Sequence, residues 1–125
     1  MHTAAELLAY ISPTISIPGY RPFCLAIERT ERLLHTQSFD QILMTKEVYH
    51  GVSEACGLSI QTTERQIYRA VDFCWQDGGN AHLNEIIGRK LPAKPSPRDI
   101  ILYCAYYLTV GKPYHAVAGA GPLLF

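Results

Sequence analysis

The chain has 125 residues, 11 Lys plus Arg against 11 Asp plus Glu, 48% hydrophobic residues and 18% charged residues. This is the profile of one globular domain, and it excludes a disordered tail, a collagen-like repeat and a second full domain. A chain of this length buries roughly 65 to 70% of the surface its unfolded form exposes, enough for a core without metals or disulfides.

Breakers divide the chain into segments whose apolar residues recur at three and four positions, which predicts six helices and no strand, an all-α six-helix bundle. The first helix spans about Ala4 to Ile11, capped by Thr3 and ended ahead of Pro13, and Ser12 to Gly19 reads as a loop. The second spans about Pro22 to Thr36, with Phe23, Ala26, Ile27, Thr30, Leu33 and Leu34 on one face. The third runs from about Lys46 to Cys56, with Val48, Val52, Ala55 and Cys56 turned inward and Gly57 as its stop. The fourth runs from about Ile60 to Asp77, with Ser59 as N-cap and Gly78-Gly79 as a double stop. Its inward stripe is Ile60, Ile67, Ala70, Val71, Cys74 and Trp75, which predicts that Trp75 is buried against the third and sixth helices. Its outer face carries Gln61, Thr62, Arg65, Tyr68, Arg69, Asp72 and Gln76. A fifth helix spans Ala81 to Ile87 and closes at Gly88, and Arg89 to Pro97 reads as a basic loop. The sixth starts at Ser96, with Pro97 at the first helical position, and runs to about Val110. Residues 1–110 thus form the helical domain. Residues 111–125 are an apolar Gly/Pro-rich tail, expected either to pack back on its own bundle or to dock on a second subunit.

The run from Ile100 to Val110 stops far short of the roughly 20 residues a bilayer span needs, so no membrane association is expected. The opening Met1-His2-Thr3-Ala4-Ala5-Glu6 lacks the basic start of a secretion signal, which makes the cytoplasm the expected compartment. Cys24, Cys56, Cys74 and Cys104 form no C-x-x-C pair, and the five histidines form no metal-binding spacing. No metal and no cofactor are therefore expected, and the cysteines read as small apolar core residues. No nucleophile and base recur at a motif spacing, so the chain does not read as an enzyme. Ser59, Cys56 and His50 are better explained as cap, core and surface residues.

A helix, a glycine turn and a second helix with a polar, basic outer face are the parts of a helix-turn-helix, whose second helix enters the major groove. Arg65 and Arg69 are one helical turn apart, so both guanidinium forks can enter one groove, where arginine pairs with guanine O6 and N7. Gln61 and Thr62 lie in the first turn, where groove-reading side chains sit. The ordinary alternative is a solvated helix face, with Glu64 beside Arg65 and Asp72 near Arg69 balancing charge. Residues 1–58 carry a balance of minus two and residues 59–125 one of plus two, so the positive half is the half with this helix. Arg89, Lys90, Lys94 and Arg98 form a basic cluster that could grip phosphate, although such a loop is usually only solvated.

The stretch Tyr49 to Gly78, YHGVSEACGLSIQTTERQIYRAVDFCWQDG, resembles without a gap the helix-turn-helix of a known family, the C-terminal DNA-binding effector domain of the stage-zero sporulation response regulator. The shared features are Glu64-Arg65, Ile67, Ala70, Val71, Trp75 and Gly78 at the family's spacing. Outside the stretch come Gly19-Tyr20, Thr45-Lys46, Asn80 and Lys94-Pro95, and the resemblance covers roughly residues 4–108. It implies an all-helical bundle of six helices acting in transcription. It places Thr62, Glu64, Arg65, Tyr68 and Arg69 at DNA bases and Lys94 near the phosphate backbone; Arg89 and Lys90, from the basic loop, and Ser59, at the helix start, are the further residues expected at phosphates. Thr62, Tyr68 and Arg69 stand where the family usually has arginine, arginine and histidine, which makes the reading head less basic. No N-terminal receiver fits within 125 residues, and Met1 favours a stand-alone relative over an excised effector domain.

The function expected is a sequence-specific DNA-binding transcription regulator with double-stranded DNA as partner. In the family, effector domains sit in tandem on repeated boxes, which makes a homodimer a candidate assembly. The alternative is a non-enzymatic interaction module of the same fold that pairs with a regulator protein and binds DNA weakly or not at all.

Overall fold

The computed structural model describes residues 2–12, 19–76 and 80–116, and all regular structure among them is helical. Six α-helices follow one another: α1 Ala4–Ile11, α2 Tyr20–Leu33, α3 His50–Cys56, α4 Ile60–Cys74, α5 Asn80–Ile87 and α6 Pro97–Val110. A π-helical segment, Met44–Tyr49, leads directly into α3, and short 3-10 turns occupy Phe39–Gln41 and Tyr114–Ala116. The predicted loop at 13–18, the Gly78-Gly79 stop and residues 117–125 of the tail lie outside the described residues.

Caps set the helix limits where the sequence has them. The Thr3 hydroxyl accepts from the Glu6 N–H at the start of α1. The Ser96 hydroxyl accepts from the Asp99 N–H at the start of α6, where Pro97 needs no partner for a missing N–H. Gly111, at φ 81°, ends α6 in the left-handed conformation that a Cβ disfavours.

The core is one cluster, centred where α2 and α6 pack on one another. Leu7, Leu8, Ile27, Ile67, Ile101 and Leu102 are fully buried in it. Burying each such side chain is worth roughly 1.5 to 3 kcal/mol before the entropy of ordering the chain is counted. α1 and α5 close one side, and α4 lies across α2 and α6. Gly19, which precedes α2, lies on α4 itself: a Cβ there would stand 2.1 Å from the Gln66 carbonyl oxygen.

Three inward assignments change. Ala55 is exposed and Cys56 half-buried, while Ser53 is buried in their place. The buried face runs through Val48 and Val52 and through Tyr49 and Ser53, pairs four residues apart, so its second edge is Ser53 and the side of α3 that carries Ala55 looks outward. Trp75 is half-buried and packs against the edge of the core instead of lying within it. It follows the end of α4 at Cys74, where Trp75 and Gln76 adopt the same wider turn.

Candidate nucleic-acid interface

Glycine makes the turn before α4. Gly57 has φ 67° and ψ 33°; its N–H donates to the Glu54 carbonyl at 3.3 Å, and the Leu58 N–H donates to the Ser53 carbonyl at 2.9 Å. This pair of bonds is a Schellman motif, which satisfies the last carbonyls of α3 and reverses the chain within three residues, Gly57 to Ser59. Ser59 then caps α4 by accepting from the Thr62 N–H at 3.1 Å. Its carbonyl also accepts the Thr63 hydroxyl at 2.9 Å.

From this cap a chain of polar contacts runs up the outer face. The Ser59 hydroxyl donates to Thr62 Oγ1 at 2.9 Å, and Arg65 Nη2 donates to the same oxygen at 3.4 Å. Thr62 thereby biases the Arg65 guanidinium toward the first turn of α4. Arg65 and Arg69 are both exposed, as are Gln61 and Glu64, while Thr62 is half-buried. The Glu64 charge reaches Tyr49, the last residue of the π segment. Burial pushes the Tyr49 hydroxyl up to about 12, and the Glu64 charge adds to that rise while Arg98 opposes it. An open cleft beside Gly19 runs along Gln66, Tyr68, Arg69 and Phe73, so the Tyr68 and Arg69 side chains face free space.

Tyr68 keeps 52% of its surface exposed, the most of any aromatic residue among those described. Lys94 reaches it from the loop before α6. The ammonium sits 4.6 Å from the Tyr68 ring centroid and 3.5 Å from its hydroxyl oxygen, and it donates to Asp72 Oδ1 at 2.5 Å. The hydrogen bond to Asp72 raises the Lys94 pKa above its ordinary 10.5, so the ammonium stays charged. Asp72 also accepts from Gln76 at 3.3 Å.

Most of the residues expected at DNA thus share one surface, and the structure groups them in two sets. Ser59, Thr62 and Arg65 form one, and Tyr68, Asp72 and Lys94 the other, with Arg69 exposed on the same helix. Arg89 and Lys90 are exposed in the loop after α5. The Arg89 charge is felt by Tyr103 and His115, beside the turn Tyr114–Ala116. Arg98, fourth in the predicted basic cluster, is half-buried and lies 3.8 Å from Asp99. The role of Asp72 was missed from the sequence, because nothing in the spacing says that residue 94 returns to residue 72. Among the described residues no group of three His, Cys, Asp or Glu side chains could hold a metal ion. No helix there is long and apolar enough to cross a membrane. Cys24, Cys74 and Cys104 are buried and Cys56 half-buried, all as free thiols. Burial pushes the Cys24 thiol up to about 11 and raises that of Cys104 further, which keeps both protonated.

The family model described as "Sporulation initiation factor Spo0A C terminal" matches residues 5–108. The chain belongs to this family. No curated protein and no solved structure matches the chain. The Spo0A C-terminal family comprises DNA-binding effector domains of a sporulation transcription regulator and is not an enzyme family. The match begins at the second residue of α1 and ends two residues before the end of α6, so all six helices take part in the Spo0A-type domain.

Proposed function

We propose that this chain is a sequence-specific transcription regulator domain that reads the major groove with α4. In this reading Thr62, Glu64, Arg65, Tyr68 and Arg69 face base edges. Ser59 offers phosphate the start of the helix it caps, and Arg89 and Lys90 are the loop cations available to the backbone. Lys94, whose charge Asp72 already meets, is not counted among them.

The observation that carries the reading is the pair Arg65 and Arg69. Both are exposed one helical turn apart on a helix that follows a tight Schellman turn, and neither has a carboxylate partner within ion-pair distance among the described residues. Two unneutralised guanidinium groups on one helix face suit guanine O6 and N7, and they have no role in holding the bundle together. Glu64 beside them suits a cytosine amino group.

Fluorescence anisotropy with a labelled random-sequence duplex pool, followed by selection of the bound fraction, tests this. The expected result is salt-dependent binding that enriches a defined site, with Arg65→Ala losing preference at one base position. Binding that ignores salt and enriches nothing would instead support the interaction module that pairs with a regulator protein.

A further inference from the structure

Lys94 is a loop cation that the fold commits to a carboxylate and a ring on α4. Its ammonium donates to Asp72 and lies over one face of the Tyr68 ring, close to the hydroxyl. A lysine in this state has little to offer a phosphate, because leaving Asp72 would strand that carboxylate on the face that meets DNA. What it does offer is order. An exposed tyrosine on a helix surface samples its rotamers freely, and a cation fixed on one ring face restricts it to one. With one ring face covered by the ammonium, the opposite ring face is the apolar surface that Tyr68 exposes, on the outer side of α4 three residues after Arg65 and next to Arg69 in sequence. The apolar feature that the major groove presents is the C5-methyl group of thymine.

We infer that Lys94 is a positioning residue. Anchored by Asp72, it holds the Tyr68 ring for contact with a thymine methyl group and does not itself bind a phosphate. This specificity-determining triad rests on the reading of α4 as the groove helix, and its test is arranged so that the two can fail separately.

The probe is the duplex selected from the random pool, with each thymine replaced in turn by deoxyuridine, which lacks only the methyl group. Wild type should lose about fourfold in affinity at one position, the worth of one buried methyl. Tyr68→Phe should keep that penalty and Tyr68→Ala should abolish it. Lys94→Gln should also abolish it while leaving the slope of log affinity against log salt unchanged, and Lys94→Arg should restore it. Asp72→Asn provides a second route: it frees the ammonium without removing it, and should lose the penalty with no decrease in the salt slope. The inference is overturned if Lys94→Gln reduces the slope by about 0.9 with the deoxyuridine penalty intact, the signature of a lost phosphate contact. It is overturned equally if no deoxyuridine position affects wild type. Wild type that binds no duplex in a salt-dependent way overturns the groove reading itself, and this inference with it.

Discussion

Gly19 and Gln66 meet backbone to backbone. A Cβ on Gly19 would lie 2.1 Å from the Gln66 carbonyl oxygen and 3.0 Å from the Ala70 Cβ, so α2 begins directly against the middle of α4. The obstructing atoms belong to a helix backbone and cannot swing aside. Gly19→Ala should therefore destabilise the domain by at least the roughly 1 to 3 kcal/mol typical of overpacking, measured by urea unfolding. A mutant as stable as wild type would mean that the two helices do not touch there. Gly57→Ala, where a Cβ meets nothing within 4 Å, should cost only the left-handed backbone penalty of about 1 to 2 kcal/mol.

Truncations along α4 should divide by depth. Ile67 is fully buried, and Ile67→Ala should cost about 2 to 5 kcal/mol. Trp75 is only half-buried, so Trp75→Ala should fall below the roughly 3 to 5 kcal/mol of a core tryptophan. Its indole fluorescence in the native state should respond to an aqueous quencher. A tryptophan fully shielded from quencher would restore it to the core.

DNA binding by few cations has a narrow salt signature. With Arg65, Arg69, Arg89 and Lys90 as the available charges, the slope of log affinity against log salt should be no steeper than about minus 3.6 per protomer. Arg65→Ala should lose about 1 to 3 kcal/mol on the selected site and much less on scrambled sequence. Lys90→Ala should weaken both alike and lower the slope by about 0.9. A much steeper wild-type slope would require cations beyond these four.

The 3-10 turn Tyr114–Ala116 should loosen in acid. His115 Nε2 lies 3.1 Å from the Tyr103 hydroxyl, which can donate to it only while the imidazole nitrogen is unprotonated. Burial first, and then the Arg89 charge, lower the His115 pKa below its ordinary 6.5. Between that lowered value and 6.5 the unfolded chain binds more protons than the folded one, so the stabilisation is complete above pH 6.5 and is lost as pH falls through the folded-state value. Hydrogen exchange at Tyr114 to Ala116 should accelerate relative to α2 across this window, and His115→Gln should remove the difference. Acceleration toward high pH instead would reverse the assigned direction.

Much of the fold was legible because its helix ends carry chemical markers. Thr3 gives α1 its start, and Ser96, Pro97 and Gly111 give α6 both limits, so the expected bounds of these two helices agree with the observed ones. α2 was placed to begin at Pro22, but it begins at Tyr20 behind Gly19, whose lack of a side chain leaves no cap to recognise. The turn at Phe39–Gln41 did have a marker. Ser38 and Gln41 stand at capping-box spacing, with the Ser38 N–H donating to the Gln41 side chain at 3.1 Å. A π turn is invisible to a periodicity argument that assumes 3.6 residues per turn, and Trp75 sits in one, which leaves it shallower than its stripe predicts. At the interface, Arg65 and Arg69 could be found because helical spacing alone puts them on one face. Asp72 and Lys94 are 22 positions apart, and only the folded loop brings them together.

The packing of α2 on α6 also has a consequence for synthesis. Chain growth from Leu33 to Pro97 takes roughly 3 to 13 s at the usual 5 to 20 residues per second. Throughout that interval the face of α2 that carries Phe23 and Ile27 has no α6 to cover it. α4 is therefore synthesised before one of the helices it packs against, and the core that orients its outer face closes only once α6 has been made.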